Sequence, residues 1–304
     1  MIEQRMVFLN GEFVAWENAT VHIMSHSFGR GSAIFEVISL HDGDVGPVIF
    51  RLRDHINRLF KTAELLDMQL PYTHEQFCKA VADTVRRNNL NKGFIKVICY
   101  YPQFCVEIVP PRVPLSVSIF AFDPGKDLEK DFFAAQSTTA CVSKWRKLDP
   151  QTVPVRAKAA ANYLNGMVAR LEAGKRGFEY AILLDTQGFI AEGGTESIFF
   201  VQNGNLLTPA LGTVLESISR ISVLEAAGAS GIKTFEGRLS VDLLDEAEEV
   251  FFSCSPLKVF PVRKIEDRVL EKAPGELTQK MATLLQNIIS GKDERFKKWL
   301  YPVE

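Results

Sequence analysis

The stretch "VPVRAKAAANYLNG", residues 153–166, places a single lysine, Lys158, among alanines. A lysine becomes nucleophilic at neutral pH only when burial or a nearby positive charge destabilises its ammonium form. The small neighbours would leave room for a large ligand above the amine, and Arg156 adds positive charge. Taken alone, the stretch is more typical of an exposed lysine at the start of a helix, because most lysines are exposed.

The composition around this stretch is that of an ordinary globular protein. The 304 residues are 46% hydrophobic and 24% charged, and the net charge is -2. No basic face is concentrated enough to predict nucleic acid or an anionic membrane as the main partner. The five cysteines show neither a CxxC pair nor zinc-ligand spacing, so we expect thiols and no metal site. Without an apolar leader or a membrane-spanning run, we expect a cytoplasmic protein.

Upstream of the lysine, the pattern predicts a mixed unit of strands and helices. A hairpin is predicted with its turn at Asn10-Gly11, and a second one with Asp42-Gly43 in the turn region. Apolar residues recur with helical period over 51–68 and 73–90, with Thr73 as the N-cap of the second helix. The β-rich runs 93–102 and 114–124 are predicted as central strands of one sheet.

A polar stretch, "DPGKDLEKD" at 123–131, is predicted as a linker because of its proline, glycine and charges. Beyond it, hairpin-linked strands alternate with helices near 159–174, 218–228, 241–246 and 275–290. The pattern predicts an α+β protein whose second domain is barrel-like or sandwich-like. The predicted division is a small α/β domain over 1–122, an interdomain loop over 123–134 and a large domain over 135–304.

Glu192, in "GFIAEGGTESIFF" at 188–200, follows an apolar strand and precedes two glycines. Glycines let the backbone turn sharply or approach a ligand closely. A carboxylate in this position could hold a protonated heterocyclic nitrogen. The alternative is an ordinary glutamate at the edge of a hairpin.

Two further features indicate anion binding. Ser217 and Ser219 lie at the start of a predicted helix, with Arg220 in its first turn, and helix N-termini bind anions through their backbone N–H groups. The alternative is simple N-capping. Arg58 could grip a phosphate with its planar fork, or it could pair with Asp54 one helical turn away.

Together these residue types meet the needs of a pyridoxal phosphate site. The lysine binds the cofactor covalently, and the carboxylate keeps the pyridine nitrogen protonated so that the ring accepts electrons. The arginine and the helix start hold the phosphate.

In the order and spacing of these motifs the chain resembles the class IV aminotransferases, the fold-type-IV pyridoxal phosphate enzymes, and among them most closely the branched-chain amino acid aminotransferases. The resemblance covers essentially the whole chain. It implies a smaller N-terminal α/β domain, a larger pseudo-barrel domain with the cofactor between them, and at least a homodimer. The stretches that carry it are "FLNGEFVAWENATVHIMSHSFGRGSAIFEV", "VIFRLRDHINRL", "SKWRKLDPQTVPVRAKAAANYL", "EYAILLDTQGFIAEGGTESIFF" and "LLTPALGTVLESISR".

The resemblance also implies a role for individual residues. Lys158 becomes the Schiff-base lysine and the proton carrier between the substrate Cα and cofactor C4′. Glu192 is implied to pair with the pyridine nitrogen, and Tyr163 to bond the ring's phenolic oxygen. The implied phosphate ligands are Arg58, the backbone amides of Ile218 and Ser219 with the Ser219 hydroxyl, and Ser255. Phe35 is implied to line the substrate pocket.

Departures from the family pattern cluster where substrates are chosen. Arg30 stands in place of a tyrosine, Val37 in place of a glycine and Lys96 in place of an arginine. If Arg30 and Lys96 both face the pocket, two cations would favour the second carboxylate of 2-oxoglutarate or glutamate. The alternative is that one of them points to solvent.

Other departures concern the second half of the chain. Ser197 replaces an asparagine, and Pro256 and Lys258 replace small and acidic residues. Val37 is similar to its counterpart in D-amino-acid transaminases, yet their carboxylate-binding arginine and histidine have no visible counterpart here.

The function implied is therefore a transaminase that exchanges an amino group between an amino acid, branched-chain-like or other, and a 2-oxo acid. The alternatives are a D-amino-acid or R-amine transaminase, an aminodeoxychorismate lyase-type enzyme, and a pyridoxal-phosphate-binding protein with little transaminase activity.

Overall fold

The computed structural model describes residues 1–44, 46–130 and 135–303. No helix in this described part is long and apolar enough to cross a membrane. The helices are α1 (His26–Arg30), α2 (Leu52–Leu65), α3 (His74–Arg87), α4 (Pro124–Asp127), α5 (Tyr163–Lys175), α6 (Ile218–Ala229), α7 (Leu243–Glu246) and α8 (Glu276–Ile289), with 3₁₀ turns at Ile2–Gln4, Trp16–Asn18, Ala160–Asn162 and Glu294–Trp299.

The strands complete the set of regular elements. They are β1 (Met6–Leu9), β2 (Glu12–Ala15), β3 (Ile34–Gly43), β4 (Gly46–Phe50), β5 (Gly93–Tyr100), β6 (Ser116–Phe122), β7 (Thr138–Arg146), β8 (Tyr180–Leu184), β9 (Ile190–Gly193), β10 (Ser197–Gln202), β11 (Asn205–Pro209), β12 (Thr234–Gly237), β13 (Glu249–Ser253), β14 (Phe260–Ile265), β15 (Arg268–Val269) and β16 (Leu300–Pro302).

The chain divides into two compact units. The first contains residues 1–132, 157–161 and 287–304, and the second contains 133–156 and 162–286. This division differs from the predicted boundaries because two later segments return to the first unit. Residues 157–161 pair with the start of β3, and β16 joins the edge of the first sheet beside β4.

The predicted linker over 123–134 is also more structured than its composition indicates. Asp123 caps the short helix α4, and the Arg5 guanidinium bonds the buried carboxylate of Asp127 at 3.0 Å. Asp123 and Asp127 therefore bind within the first unit rather than facing solvent. Residues 131–134 lie outside the described part of the chain.

The sheet of the first unit is antiparallel, in the order β16-β4-β3-β5-β6-β1-β2. The predicted hairpin is confirmed, since Asn10 and Gly11 both have positive φ between β1 and β2, as a tight hairpin turn requires. The predicted pairing of the two β-rich runs is also confirmed, because β5 and β6 are neighbours. The second predicted hairpin is also confirmed, since β3 and β4 pair antiparallel, and Asp42 and Gly43 are the last residues of β3.

The two faces of this sheet differ in burial. Helices α2 and α3 pack on one face, where Ile38 and Ile95 are fully buried. Because strand side chains alternate between faces, Phe35, Val37 and Lys96 point to the opposite face, and all three are half-buried. The predicted N-cap at Thr73 is confirmed, and Gln76 completes a capping box with it.

The second unit contains a mixed sheet in the order β12-β11-β10-β13-β14-β7-β8-β9, with β15 beside β14. Parallel pairing occurs between β11 and β12, β14 and β7, and β7 and β8. β9, at one end of this path, returns to contact β10 and β11, so the sheet curls on itself. Helix α5 covers β7 and β8 through small residues, among them Ala169 and Ala173.

One glycine fixes how closely α5 approaches the end of β9. A Cβ at Gly166 would lie 2.0 Å from the carbonyl oxygen of Gly194, so a side chain there cannot fit without moving the backbone. Gly166 is on the first turn of α5, three residues after Tyr163, and Gly194 follows Glu192 by two residues. The contact therefore places Tyr163 and Glu192 on neighbouring elements.

Gly166→Ala is expected to destabilise the protein by about 1–3 kcal/mol, as overpacked sites do. Gly174→Ala is the matched control on the same helix, since its Cβ would meet nothing within 4 Å, and it is expected to stabilise by about 0.5–1 kcal/mol. Urea unfolding of both variants measures the difference. Equal stability of the two variants would show that the Gly166–Gly194 approach is not a constraint.

Candidate active site

Lys158 is fixed by its backbone before its helix begins. Its carbonyl accepts from Phe35 N at 3.1 Å, and its N–H donates to Thr62 Oγ1 at 3.1 Å. The residue lies in an extended segment whose Ala159 pairs with Ile34, and α5 begins only at Tyr163. The prediction of a helix from 159 was therefore early by about one turn.

The alanines around Lys158 are explained by packing within the first unit. Ala157 and Ala159 are buried, and Ala159 belongs to the core beneath the first sheet. Gly31 lies so close to Ala161 that a Cβ on it would be 3.2 Å from the Ala161 methyl group. Small residues are thus required to seat the segment against the sheet, a reason that the sequence reading did not supply.

The amine of Lys158 lies over an aromatic ring that it shares with another cation. Its Nζ is 4.7 Å from the centroid of Phe35, and Lys96 Nζ is 5.4 Å from the same centroid. Val37 is directly opposite Lys96 in the β3–β5 pairing. Burial lowers the pKa of Lys96, and the neighbouring Lys158 lowers it further. The structure thus brings together Lys158, Phe35, Val37 and Lys96.

Arg30 lies apart from this group in the first unit. It is exposed and donates to the carbonyl oxygen of Val106 at 3.0 Å. Of the two cations discussed from the sequence, Lys96 lies on this sheet face, whereas Arg30 binds the loop that contains Val106.

Arg58 pairs with a residue that the sequence reading overlooked. Its guanidinium donates to both carboxylate oxygens of Glu36, at 2.8 and 2.6 Å, and His55 Nδ1 is 2.7 Å from the same carboxylate. Asp54 binds Arg51 instead, so the predicted Arg58–Asp54 alternative is wrong. A charge amid the apolar run "AIFEVIS" was the available signal, because a buried carboxylate needs a partner.

The environment of Glu36 makes this network a strong constraint. Burial alone raises the pKa of Glu36, but the Arg58 guanidinium and the bond to His55 outweigh it and lower the pKa from 4.5 to about 2. Glu36 therefore stays ionised and holds the Arg58 fork in a single plane. Thr62, which binds the Lys158 backbone, lies one turn further along the same helix.

In the second unit, Glu192 is the carboxylate at the end of β9 and it forms an ion pair with Lys147. Both side chains are about one-tenth exposed, at 9% and 10%. Lys147 is itself fixed by a backbone bond from its N–H to Leu184 O at 2.8 Å. Lys147 was missed from the sequence, where a lysine next to Arg146 in a polar stretch gives no signal of burial.

The start of α6 has the form of an anion site. Ser217 is the N-cap, and its hydroxyl accepts from Arg220 N. Ile218 and Ser219 follow it and are buried, and the first N–H groups of a helix have no acceptor within the helix. The Arg220 guanidinium instead donates to Pro209 O and pairs with Glu236. Arg220 is therefore bound to other protein groups and does not point to the predicted anion site.

Ser255 and Pro256 lie in a tight turn after β13. Cys254 N donates to Leu257 O at 2.8 Å across the turn, and Lys258 Nζ donates to Ser255 O at 2.8 Å. Burial lowers the pKa of Lys258 to about 7. Pro256 has no N–H, so this position of the turn offers no backbone donor to a ligand.

Comparison with known proteins gives this arrangement a family. The model of the class IV aminotransferases matches residues 33–265. A branched-chain-amino-acid aminotransferase of Salmonella typhimurium is 34% identical over 98% of this chain and 97% of its own. The chain therefore belongs to the class IV aminotransferases.

Solved structures agree with this assignment. The branched-chain aminotransferase of Thermoproteus uzoniensis with norvaline has a TM-score of 0.94, 34% identity and 99% coverage of both chains. The branched-chain amino acid aminotransferase of Thermobaculum terrenum, in its PLP-bound holo form, has a TM-score of 0.89, 29% identity and 100% coverage of both chains. The predicted fold-type-IV architecture is confirmed, and the protein is a pyridoxal phosphate-dependent aminotransferase.

The residues present fit this cofactor. The first unit has a buried amine over a phenyl ring and a fixed guanidinium, which suit an aldehyde and a phosphate. The second unit has a buried carboxylate and a helix start with a hydroxyl, which suit a pyridine nitrogen and a phosphate. Within the described residues, no three His, Cys, Asp or Glu side chains are grouped so that they could hold a metal ion.

The Glu36 network predicts a specific pH dependence of stability. Because the pKa of Glu36 is lowered on folding, its contribution is complete above about pH 4.5 and is lost as the pH falls toward about 2. Glu36→Gln is expected to flatten the unfolding free energy across that window and to cost about 3–5 kcal/mol at neutral pH, since it leaves Arg58 buried without its charge partner.

Glu75→Gln is the matched control, because Glu75 forms a surface ion pair with Arg53. We expect little change in stability from it. Urea unfolding at several pH values measures both variants, and an unchanged pH slope in Glu36→Gln would contradict the role given to this network.

Proposed function

We propose that the protein transfers the amino group of branched-chain amino acids to a 2-oxo acid such as 2-oxoglutarate. The observation that carries the proposal is the sheet face beside Lys158, where apolar Phe35 and Val37 lie next to the cation Lys96. An apolar wall suits an aliphatic side chain, and a cation suits the second carboxylate of the acceptor. The relatives named above are branched-chain aminotransferases, which supports the same substrate class.

The cofactor-binding residues are proposed as predicted from sequence. When bound, pyridoxal phosphate supplies a conjugated ring that accepts the electron pair released at the substrate Cα. Lys158 would hold the cofactor and carry the proton between the substrate Cα and cofactor C4′. Glu192 would bind the pyridine nitrogen and Tyr163 the ring oxygen. The proposed phosphate ligands are Arg58, the backbone N–H groups of Ile218 and Ser219, the Ser219 hydroxyl and Ser255.

The contacts around these groups indicate how each of them would be oriented. Glu36 and His55 hold Arg58, Lys147 holds Glu192, and the N-cap Ser217 fixes the first turn of α6. Substrate contacts are proposed for Phe35, Val37, Lys96 and Pro256, and for Arg30 by resemblance. Because Pro256 offers no N–H, we propose that side-chain cations have a larger part in holding substrate carboxylates.

Lys158→Ala is expected to lower kcat at least about 10²-fold, because it removes the proton carrier, and to abolish the absorption change that amino donors cause in the bound cofactor. Lys175→Ala, at the exposed end of α5, is the control and should behave as wild type. A Lys158→Ala protein that turned over amino donors at the wild-type rate would contradict the role proposed for Lys158.

The donor class is tested by comparing kcat/KM values for L-leucine, L-isoleucine and L-valine with those for D-alanine and an R-amine. Branched L-amino acids with 2-oxoglutarate are expected to be the best pair. Faster reaction of the D-amino acid or the R-amine would move the enzyme to one of the alternative transaminase classes. Pyruvate release from aminodeoxychorismate without an acceptor would identify a lyase.

We also propose a homodimer, formed through an apolar patch on the first unit. Residues 21–28 and 103–109 are joined by His26 N to Gln103 O at 3.0 Å and by His26 Nε2 to Ile108 O at 3.2 Å. Exposed apolar surface of this extent is typical of protein–protein contact sites. The residues of the patch, each more than two-fifths exposed, are Val21, Ile23, Met24, Phe28, Phe104, Val106, Ile108 and Val109.

The double variant Phe104→Asp with Ile108→Asp is expected to sediment as a monomer, because two charges would be buried without partners in the interface. Val269→Asp is the matched control, since Val269 is 70% exposed on β15 and outside the patch. A wild-type protein that sediments as a monomer would contradict the proposal, as would a double variant that stays dimeric.

A cytoplasmic location is proposed as well. The cysteines are thiols rather than disulfides in the described chain, which is usual in reducing compartments.

A further inference from the structure

Lys96 and Lys158 present two amines to one phenyl ring. Their Nζ atoms lie 5.4 and 4.7 Å from the Phe35 centroid, so the two nitrogens are no more than about 10 Å apart. Both side chains leave the same region of the first unit, Lys96 from β5 and Lys158 from the segment that pairs with β3. A cation next to a lysine is one of the two ways in which proteins suppress protonation of its amine.

Three other ionisable groups on the neighbouring elements of the first unit are paired, exposed or uncharged. On β3, Glu36 lies on the helix-covered face, where Arg58 and His55 bind it. On α2, Lys61 next to Thr62 is exposed. Tyr100 of β5 has its pKa raised by burial and so is neutral at physiological pH.

The segment that carries Lys158 brings one more cation, Arg156. It forms an ion pair with Glu216 at 3.3 Å within the second unit. Its charge is thereby compensated locally. The charge of Lys96, by contrast, is held over the same ring as the Lys158 amine.

We propose that Lys96 tunes the reactive lysine: its positive charge, held on the Phe35 ring, disfavours the protonated form of the Lys158 nitrogen. This role rests on the proposed function of Lys158 and is distinct from any contact of Lys96 with substrate. The repulsion is mutual, and the pKa of Lys96 is lowered by burial first and by Lys158 second. At such a separation in a half-buried site, one unit charge shifts the titration of the other by about one pH unit.

The test is a pH titration of the cofactor's absorption band in the holoenzyme, without substrate. Lys96→Met keeps most of the side-chain stem and removes the charge, so its titration midpoint is expected to rise by about one pH unit. Lys96→Arg keeps the charge and is expected to titrate close to wild type. Lys96→Gln serves as a second neutral variant if the methionine variant folds poorly.

Lys92→Met is the matched control, because Lys92 is an exposed lysine just before β5. Its midpoint should equal that of wild type. An unchanged midpoint in both neutral Lys96 variants would overturn the proposal. An equal rise in Lys96→Arg would overturn it as well, because the cause would then be packing against Phe35 and not charge.

The same titration separates this inference from the proposed function. If Lys158→Ala retained a pH-dependent band like that of wild type, Lys158 would not be the cofactor lysine and both proposals would fall. If the band required Lys158 and did not respond to Lys96, the function would stand and the tuning role alone would be wrong.

Discussion

The site depends above all on how the backbone of Lys158 is anchored. Two hydrogen bonds, from Phe35 N and to Thr62 Oγ1, fix the residue between a strand and a helix of the first unit. A long, flexible lysine side chain is then left with one fixed end, and its amine is confined to the space over Phe35. Because the anchored segment packs closely against the first sheet, larger side chains would not fit beside it, and alanines therefore surround the lysine.

In each unit a buried carboxylate is held by a cationic partner. Glu36 is satisfied by Arg58 and His55, and Glu192 is satisfied by Lys147. Such pairs add little net stability compared with apolar residues, but removing one partner is costly. Their value here is in orientation, because a guanidinium or carboxylate bound on two sides has few remaining conformations.

Local patterns predicted much of the fold because they are set by neighbours in sequence. The Asn10-Gly11 turn and the Thr73 cap depend on backbone geometry within a few residues. The β3–β4 hairpin likewise followed from local pattern, whereas 123–131 misled because Asp127 binds Arg5, more than a hundred residues away. The return of 157–161 and of β16 to the first unit is equally a long-range effect.

The same distinction applies to the site. The residue types at Lys158, Glu192, Arg58 and the start of α6 match what the chemistry of the cofactor requires, so they could be proposed together although none was decisive alone. The partners Glu36 and Lys147 were not predicted, because their importance comes from burial. Arg220 shows the reverse error, since a helix-start arginine looks suited to an anion but is bound to Pro209 O and Glu236.

The ion pair of Lys147 and Glu192 determines when the carboxylate is oriented. Because Lys147 already holds it, the entropy of fixing Glu192 is lost when the second unit folds and not when the cofactor arrives. In the role proposed for Glu192, the carboxylate is therefore preorganised, and a cofactor that binds it would meet a group with little freedom left to lose. Retention of the cofactor and rigidity of the second unit would then be parts of one free-energy balance.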